Sequence, residues 1–269
     1  MTAPSRKAGL VVDAVTVRFG GLSVLDNVSI EASVGEVVGV IGPNGAGKTT
    51  LFNVVCGFVR AESGTVVWQG RQLHRHHPHD LASLGIARTL QGVGLFDGCD
   101  VLDNVLVGTT PVARSGWASA MLGLRRSSRD ERQQRERAMS ALERLHVAEF
   151  AGRFPSSLPY PVQKRIALAR ALVSEPTLVM MDEPASGLSA SDISELAELL
   201  AVLKREMGVL VVEHNMDLVM ATCDRIVVLN FGKVIASGSP AEIRADPAVT
   251  TAYLGVEIDA EETSASSHA

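Results

Sequence analysis

Gly42-Pro43-Asn44-Gly45-Ala46-Gly47-Lys48-Thr49 decides the reading of this chain. The apolar stretch Glu36–Ile41 before it predicts a strand, and Lys48–Cys56 after it predicts a helix. The octapeptide therefore bridges strand and helix in the pattern G-x-x-x-x-G-K-[ST]. Glycines let the backbone curl until successive N–H groups converge on one anion, an approach that a Cβ would obstruct. The following helix points its positive end at the same spot. In such a loop Lys48 meets the β- and γ-phosphates of a nucleotide, and the Thr49 hydroxyl ligates Mg²⁺. The alternative is a glycine-rich turn with no ligand, and the strand–loop–helix context disfavours it.

A phosphate loop also requires a carboxylate site for the metal. Leu178-Val179-Met180-Met181-Asp182-Glu183 provides one, an apolar strand ending in two acids. A buried strand delivers Asp182 at its carboxyl end, where ligands of open α/β sheets collect. Asp182 is expected to hold Mg²⁺ through water and Glu183 to polarise the attacking water as general base. The competing reading, that the two acids merely start a surface turn before Pro184, is plausible for either alone but not for both beside a phosphate loop.

Outward from these motifs, further strands are expected at Leu10–Val17, Val24–Ile30, Thr65–Trp68, Val209–Glu213, Arg225–Asn230 and Lys233–Ser237. Val37–Ile41, Leu178–Met181 and Val209–Val212 are apolar on both faces, the pattern of central strands in a covered parallel sheet. Helices are expected at Asp130–Leu145, Val162–Val173 and Ser191–Glu206. From about Gly92 to Tyr160 the strand signal disappears, which predicts an all-α insertion in an α/β core. Residues 257–269 are acidic and serine-rich without periodicity, as in a frayed tail.

Composition bounds the rest. The 269 residues are 46% hydrophobic but only 4% aromatic, so the core is aliphatic, and 30 acids against 25 bases give a net charge of −5. That excludes wholesale disorder and argues against sequence-blind nucleic-acid binding. Three widely spaced cysteines, Cys56, Cys99 and Cys223, make no disulfide framework and suit a reducing compartment. The first ten residues lack the apolar core of a signal peptide. No stretch reaches the ~18 apolar residues of a membrane span.

The phosphate loop, Gln91, Asp182-Glu183 and His214 stand in the order seen in ATPase subunits of ABC transporters. Gly85-Ile86-Ala87-Arg88-Thr89-Leu90-Gln91, Leu95-Phe96, Val101-Leu102-Asp103-Asn104-Val105, Val212-Glu213-His214-Asn215-Met216 and Ala252-Tyr253-Leu254-Gly255 narrow the match. Together they resemble the LivG-type ATPases of branched-chain amino-acid importers over about residues 8 to 256. The resemblance implies an α/β, P-loop (RecA-like) core with an N-terminal antiparallel β subdomain and an inserted α-helical subdomain. It implies one nucleotide-binding domain over 8–256, with 8–91 and 161–256 as core, 92–160 as the helical insertion and 257–269 as a disordered tail.

It also implies roles. Gly42, Pro43, Asn44, Gly45, Ala46, Gly47, Lys48, Thr49 and Thr50 bind ATP, and Phe19 stacks on adenine, where aromatic stacking tolerates any base. A phenylalanine that simply closes a strand is the alternative for Phe19. Gln91 touches the metal and the attacking water, so Thr49, Gln91 and Asp182 form the metal set. His214 contacts the γ-phosphate as a switch and joins Glu183 and Gln91 in catalysis, although a lone histidine after a strand is usually a hydrogen-bonded surface residue. The implied cofactors are ATP and Mg²⁺. The implied partners are a second ATPase subunit, LivF-like or another copy, and transmembrane permease subunits. Such a protein sits on the cytoplasmic face of the membrane and hydrolyses ATP to drive import.

One loop departs from the family. The signature Leu-Ser-Gly-Gly-Gln, or its variant with tyrosine in third place, aligns to Leu158-Pro159-Tyr160-Pro161-Val162, followed by Gln163, Lys164 and Arg165. In family dimers this loop reaches the partner's ATP through the serine hydroxyl and the second glycine's N–H. Pro159 has no hydroxyl and Pro161 no N–H. Losing two hydrogen bonds to a charged group removes roughly 3–6 kcal/mol. The turn Ser186-Gly187-Leu188-Ser189 carries serine where most of the superfamily has aspartate. An asymmetric pair follows, in which this chain's own ATP-binding half is intact and the loop it offers a neighbour is degraded. An alternative is a nucleotide-binding but hydrolytically weak regulatory partner. A soluble ABC ATPase of DNA repair or translation is disfavoured by the single nucleotide domain.

Two weaker signals remain. His74-Arg75-His76-His77-Pro78-His79 suggests metal binding, but a hydrated surface turn explains it more simply, since no other ligand has matching spacing. Val112–Leu124 with Arg125-Arg126 is expected to pack within the helical insertion rather than lie on a membrane. The charged run Arg125–Arg137 is expected to form a solvated helix with i,i+4 pairs.

Overall fold

The alternation of large aliphatic and polar residues near the N-terminus produces two twelve-residue strands, β1 (Ala8–Phe19) and β2 (Leu22–Ser33), paired antiparallel. Leu10, Val12, Val15 and Val17 point into the core, and the alternation slips by one residue between Val12 and Val15. The slip is a β-bulge at Ala14, whose φ is +49°. These observations come from a computed structural model that describes residues 8–89, 92–112 and 125–253. The chain divides into two compact units, Met1–Pro78 with Leu200–Ala269, and His79–Leu199.

In the first unit, β1 and β2 combine with β4 (Ser63–Trp68) and β5 (Arg71–Gln72) in an antiparallel sheet of order β2-β1-β4-β5. A second set of strands surrounds β3 (Val37–Ile41), which runs parallel to β8 (Gly208–Val212) on one side and to β9 (Arg225–Asn230) on the other. The strand β10 (Lys233–Gly238) returns antiparallel to β9. Every residue of β3 and β8 is buried, as their unbroken apolar runs predict. The unit's helices are α1 (Lys48–Val55), α6 (Met216–Thr222) and α7 (Pro240–Ala245), followed by helical residues 247–253. A capping box between Ser239 and Glu242 starts α7.

In the second unit, β6 (Ile86–Arg88) runs parallel to β7 (Leu178–Asp182), with Arg88 opposite Met180. Between them the described residues form helices and short turns but no strand: α2 (Val101–Leu106), α3 (Arg125–Arg144) and α4 (Tyr160–Leu172). The helical character expected after Gly92 is present. Asp100 caps α2 by accepting from Asp103 N at 2.8 Å. Asn104, fully buried, organises the loop before α2: its amide accepts from Phe96 N (2.7 Å) and donates to the carbonyls of Phe96, Cys99 and Asp100. The helix α5 (Ala190–Leu203) crosses the boundary between units at Leu200.

The charged run corrects one expectation. Asp130 on α3 is buried and accepts from Gln134 Nε2 at 3.2 Å, and Ala138 has no exposed surface. α3 therefore turns one face inward rather than standing wholly in solvent. Residues 113–124 and 254–269 lie outside the described residues, as does most of the expected Val112–Leu124 packing segment. Among the described residues no helix is long and apolar enough to cross a membrane.

Candidate functional site

The phosphate-loop candidate follows the C-terminal end of β3 in the first unit. Gly42 (φ +153°), Gly45 (+78°) and Gly47 (+103°) all take backbone conformations that favour glycine. Two of them also lack room for a side chain. A Cβ on Gly42 would stand 2.1 Å from the Leu229 carbonyl oxygen, and one on Gly47 would lie 2.7 Å from both Val24 O and Leu25 Cδ2. The loop is thus clamped between β9 and β2, and Gly232 N donates to Ala46 O (3.1 Å) to close the clamp.

Gly47 is the N-cap of α1, with no side chain capping the helix and no acid in its first turn. The N-terminal amides are therefore left to an external anion. Lys48 is buried, and its ammonium donates to Gly42 O (2.7 Å) and Pro43 O (2.8 Å), across the concave side of its own loop. Thr49 is exposed and Thr50 half-buried beside it. A triphosphate entering the loop would draw the ammonium from two carbonyls to anionic oxygens, which are stronger acceptors.

Two further candidates belong to this unit. β8 runs alongside β3 with Val212 opposite Val40, so His214 emerges at the edge where the phosphate loop begins. Glu213, fully buried, accepts from the N–H of His214 and of Asn215, each at 2.9 Å, which fixes the backbone on which His214 is carried. Asn215 then caps α6 by accepting from Leu218 N. Phe19 closes β1 opposite Leu22, just before the part of β2 that clamps Gly47, and is 54% exposed. An aromatic ring left so open has a face available for stacking.

The second unit holds the acids. Asp182 ends β7 and is buried, as a strand delivering a ligand at its carboxyl end requires. Its Oδ2 accepts from Arg88 Nη2 at 3.1 Å, pairing a buried carboxylate with a part-buried guanidinium. Glu183 follows with φ +49°, a left-handed conformation that a residue with a Cβ adopts only when its surroundings impose it. Gln91 lies outside the described residues; Thr89, the last described residue before it, donates from its N–H to Met180 O (2.9 Å) and so keeps that segment beside β7.

The signature-like loop opens α4. Leu158 is extended, Pro159 is the N-cap and Pro161 occupies the second helical position. A proline there costs the helix nothing, because the missing N–H has no intrahelical acceptor. The Gln163 N–H is spent on Pro159 O (3.1 Å), and its side chain donates to Leu158 O (2.8 Å). Ser189, read above as a departure, starts α5: it accepts from Asp192 N and its own N–H donates to Asp192 Oδ2.

Arg88 and Lys164 are the polar residues whose importance the motif reading missed. Arg88 had a visible signal, since a cation ending the apolar strand Ile86–Arg88 needs a buried acid, but the sequence does not say which. Among the described residues no three His, Cys, Asp or Glu side chains converge on a possible metal position, while His76 sits 2.8 Å from Val55 O and His79 lies 3.6 Å from Asp80. Taken separately, the Thr49 hydroxyl and the Asp182 carboxylate are each a hard oxygen donor of the kind Mg²⁺ takes. Mg²⁺ is usually held by one or two such groups plus substrate phosphates.

Comparison with known proteins adds to this geometry. The ABC transporter family profile matches residues 25–186, and a profile described as branched-chain amino acid ATP-binding cassette transporter matches residues 233–259. The high-affinity branched-chain amino acid transport ATP-binding protein LivG of Salmonella typhimurium is 41% identical over 248 residues, 91% of this chain and 97% of that protein. BraF of Pseudomonas aeruginosa, named likewise, is 38% identical over the same shares. Among solved structures, a nucleotide-free ATP-binding cassette from an ABC transporter superposes with a TM-score of 0.80 at 29% identity, covering 91% of this chain and 98% of that one. An ATP-binding cassette of an ABC transporter in its ADP conformation gives 0.78 at 27% identity, covering 92% and 99%.

Proposed function

The chain belongs to the ABC transporter family of ATPases, and from that premise we propose that it is the ATP-binding and ATP-hydrolysing subunit powering an importer of branched-chain amino acids or related small polar solutes. The observation that carries this reading is the phosphate loop, whose Gly42 and Gly47 have no room for a Cβ and whose lysine donates to two carbonyls of the same loop. The likeness to LivG and BraF, over nearly the full length of each, supports the choice of cargo class.

In this mechanism the amides of Gly42–Thr49 bind the β- and γ-phosphates, and Lys48 moves from Gly42 O and Pro43 O onto the γ-phosphate oxygens. Thr49, Gln91 and Asp182 are the residues that would hold Mg²⁺ beside the phosphates, and the ion would supply positive charge against the charge that builds in the transition state. Glu183 takes the proton of the attacking water as the bond from the γ-phosphorus to the β,γ-bridging oxygen breaks, giving ADP and phosphate. His214, on a backbone fixed by Glu213, contacts the γ-phosphate, and Phe19 stacks on the base. Phosphate contacts that differ between closed and open states convert binding energy into movement.

The partners in this reading are transmembrane permease subunits and a second ATPase subunit, with the chain peripheral on the cytoplasmic face. The second subunit carries a hydroxyl and an N–H donor where this chain has Pro159 and Pro161, so the productive site uses this chain's Lys48 and Glu183. A hydrolytically weak regulatory role finds no support in the relatives, which are named as transport ATP-binding proteins.

Reconstitution with permease, solute-binding protein and second ATPase subunit in proteoliposomes tests the reading. ATP-dependent uptake of labelled leucine is expected, abolished by Lys48→Ala in this chain. ATP turnover is expected to rise at least tenfold when the second subunit joins. Uptake indifferent to Lys48→Ala, or a lone chain as fast as the pair, contradicts it.

A further inference from the structure

Two residues near the start of α4 grip the turn that follows Asp182. Lys164 Nζ donates to the carbonyl oxygens of Glu183 (3.2 Å) and Pro184 (2.8 Å). The same ammonium lies 5.4 Å from the centroid of the Tyr160 ring, within cation–π range. Tyr160 in turn seats Gly187 so closely that a Cβ there would stand 2.9 Å from Tyr160 Cε1. Ser186 N adds a third donor, to Glu183 O at 3.2 Å.

These contacts converge on the residue with the left-handed backbone. Glu183 holds φ +49° against the preference of any residue with a Cβ. A strained conformation persists only where the surroundings over-determine it. An ammonium bridging two successive carbonyls is a charge-assisted restraint that acts directly on that backbone.

We infer that Lys164 is a positioning residue for Glu183: the ammonium of α4 fixes the backbone turn from which the Glu183 carboxylate projects. This inference rests on the reading of Glu183 as general base. It goes beyond that reading by giving the Leu158–Val162 loop a second use. The loop offered to a neighbouring subunit begins the helix whose lysine sets this chain's own carboxylate, so a displacement of that helix changes the hydrolysis that Glu183 supports. The two prolines of the loop remove donors toward the neighbour without disturbing this internal link, because neither Lys164 nor Tyr160 depends on them for its contact.

The test uses the full chain with Lys164→Met, measuring kcat for ATP hydrolysis beside Kd for a fluorescent ATP analogue. A kcat at least tenfold lower is expected, with Kd within twofold of wild type. Lys164→Arg, which keeps a cation in reach of both carbonyls, is expected to restore at least half of kcat. Amide exchange at Ser186 is expected to quicken with Lys164→Met and to slow again with Lys164→Arg. Should Lys164→Met fail to fold, Lys164→Gln replaces it under the same expectations. A folded variant with unchanged kcat and unchanged exchange overturns the inference, and so does a loss that arginine fails to rescue. Glu183→Gln separates the two claims. An active Glu183→Gln enzyme overturns the general-base reading, whereas an inactive one beside a fully active Lys164→Met overturns only the role of Lys164.

Discussion

Arg88 and Asp182, 94 positions apart in sequence, form a largely buried ion pair at the ends of adjacent parallel strands, Nη2 to Oδ2 at 3.1 Å. The aspartate read as a metal-site residue is therefore oriented by a cation of its own fold. Removing the arginine leaves the buried Asp182 carboxylate without this compensating charge. Arg88→Ala is expected to lower unfolding stability by about 3–5 kcal/mol in urea or guanidinium titrations. Arg88→Ala with Asp182→Ala is expected to recover part of that loss, because no lone charge remains. A single-variant loss under about 1 kcal/mol, the scale of an exposed pair, contradicts the assignment.

Gly42 makes a sharper geometric claim. With a Cβ position 2.1 Å from Leu229 O, alanine forces either the loop or β9 to shift. Gly42→Ala is expected to cost about 1–3 kcal/mol of stability and to weaken ATP binding at least tenfold. Gly45→Ala meets nothing within 4 Å and carries only the strain of φ +78°. It is therefore expected to cost about 1–2 kcal/mol, less than Gly42→Ala. Thermal melts with nucleotide titrations check the order of the two variants, and equal effects contradict it.

The parts legible in the sequence are those governed by local chemistry. The phosphate loop is visible because glycine, lysine and threonine are each required at fixed offsets. β3, β7 and β8 are visible because strands covered on both faces are apolar throughout. The short helices α2 and α6, six and seven residues long, give too little periodicity to detect, although Asp100 and Asn215 stand as caps before them. The Ala14 bulge leaves no mark except a slipped alternation. The misses of most consequence, Arg88 onto Asp182 and Lys164 onto Glu183 and Pro184, join residues far apart in sequence, and no local pattern names such a partner.

Cys223 predicts a response to alkali. Burial pushes its thiol up to about 12 from 9.0, with a hydrogen bond from Thr222 pulling down, Asp224 and Glu213 pushing up and Lys204 opposing them. The folded thiol therefore ionises later than the unfolded one. Its contribution to stability is complete below about pH 9 and is lost as pH rises towards 12, at up to about 1.4 kcal/mol per pH unit. Cys223→Ala is expected to flatten the decline of stability between pH 9 and 11, read by denaturant titration at each pH. An identical slope in both proteins contradicts the assignment.

Lys48 predicts the largest single effect on substrate handling. Its ammonium spans the loop between Gly42 O and Pro43 O, where the γ-phosphate would compete for it. Lys48→Met is expected to reduce ATP turnover by about 10²–10³-fold, the scale of losing one preorganised electrostatic donor. Steady-state phosphate release checks this, and a loss below threefold contradicts it.

The most direct test of the account compares wild type with Glu183→Gln in MgATP, following nucleotide binding and phosphate release in the same samples. Binding within twofold of wild type is expected, with phosphate release reduced at least a hundredfold, because the amide keeps the shape of the side chain but cannot take the water's proton. Hydrolysis by Glu183→Gln at the wild-type rate, or a wild-type chain that binds no ATP at millimolar concentration, would contradict it.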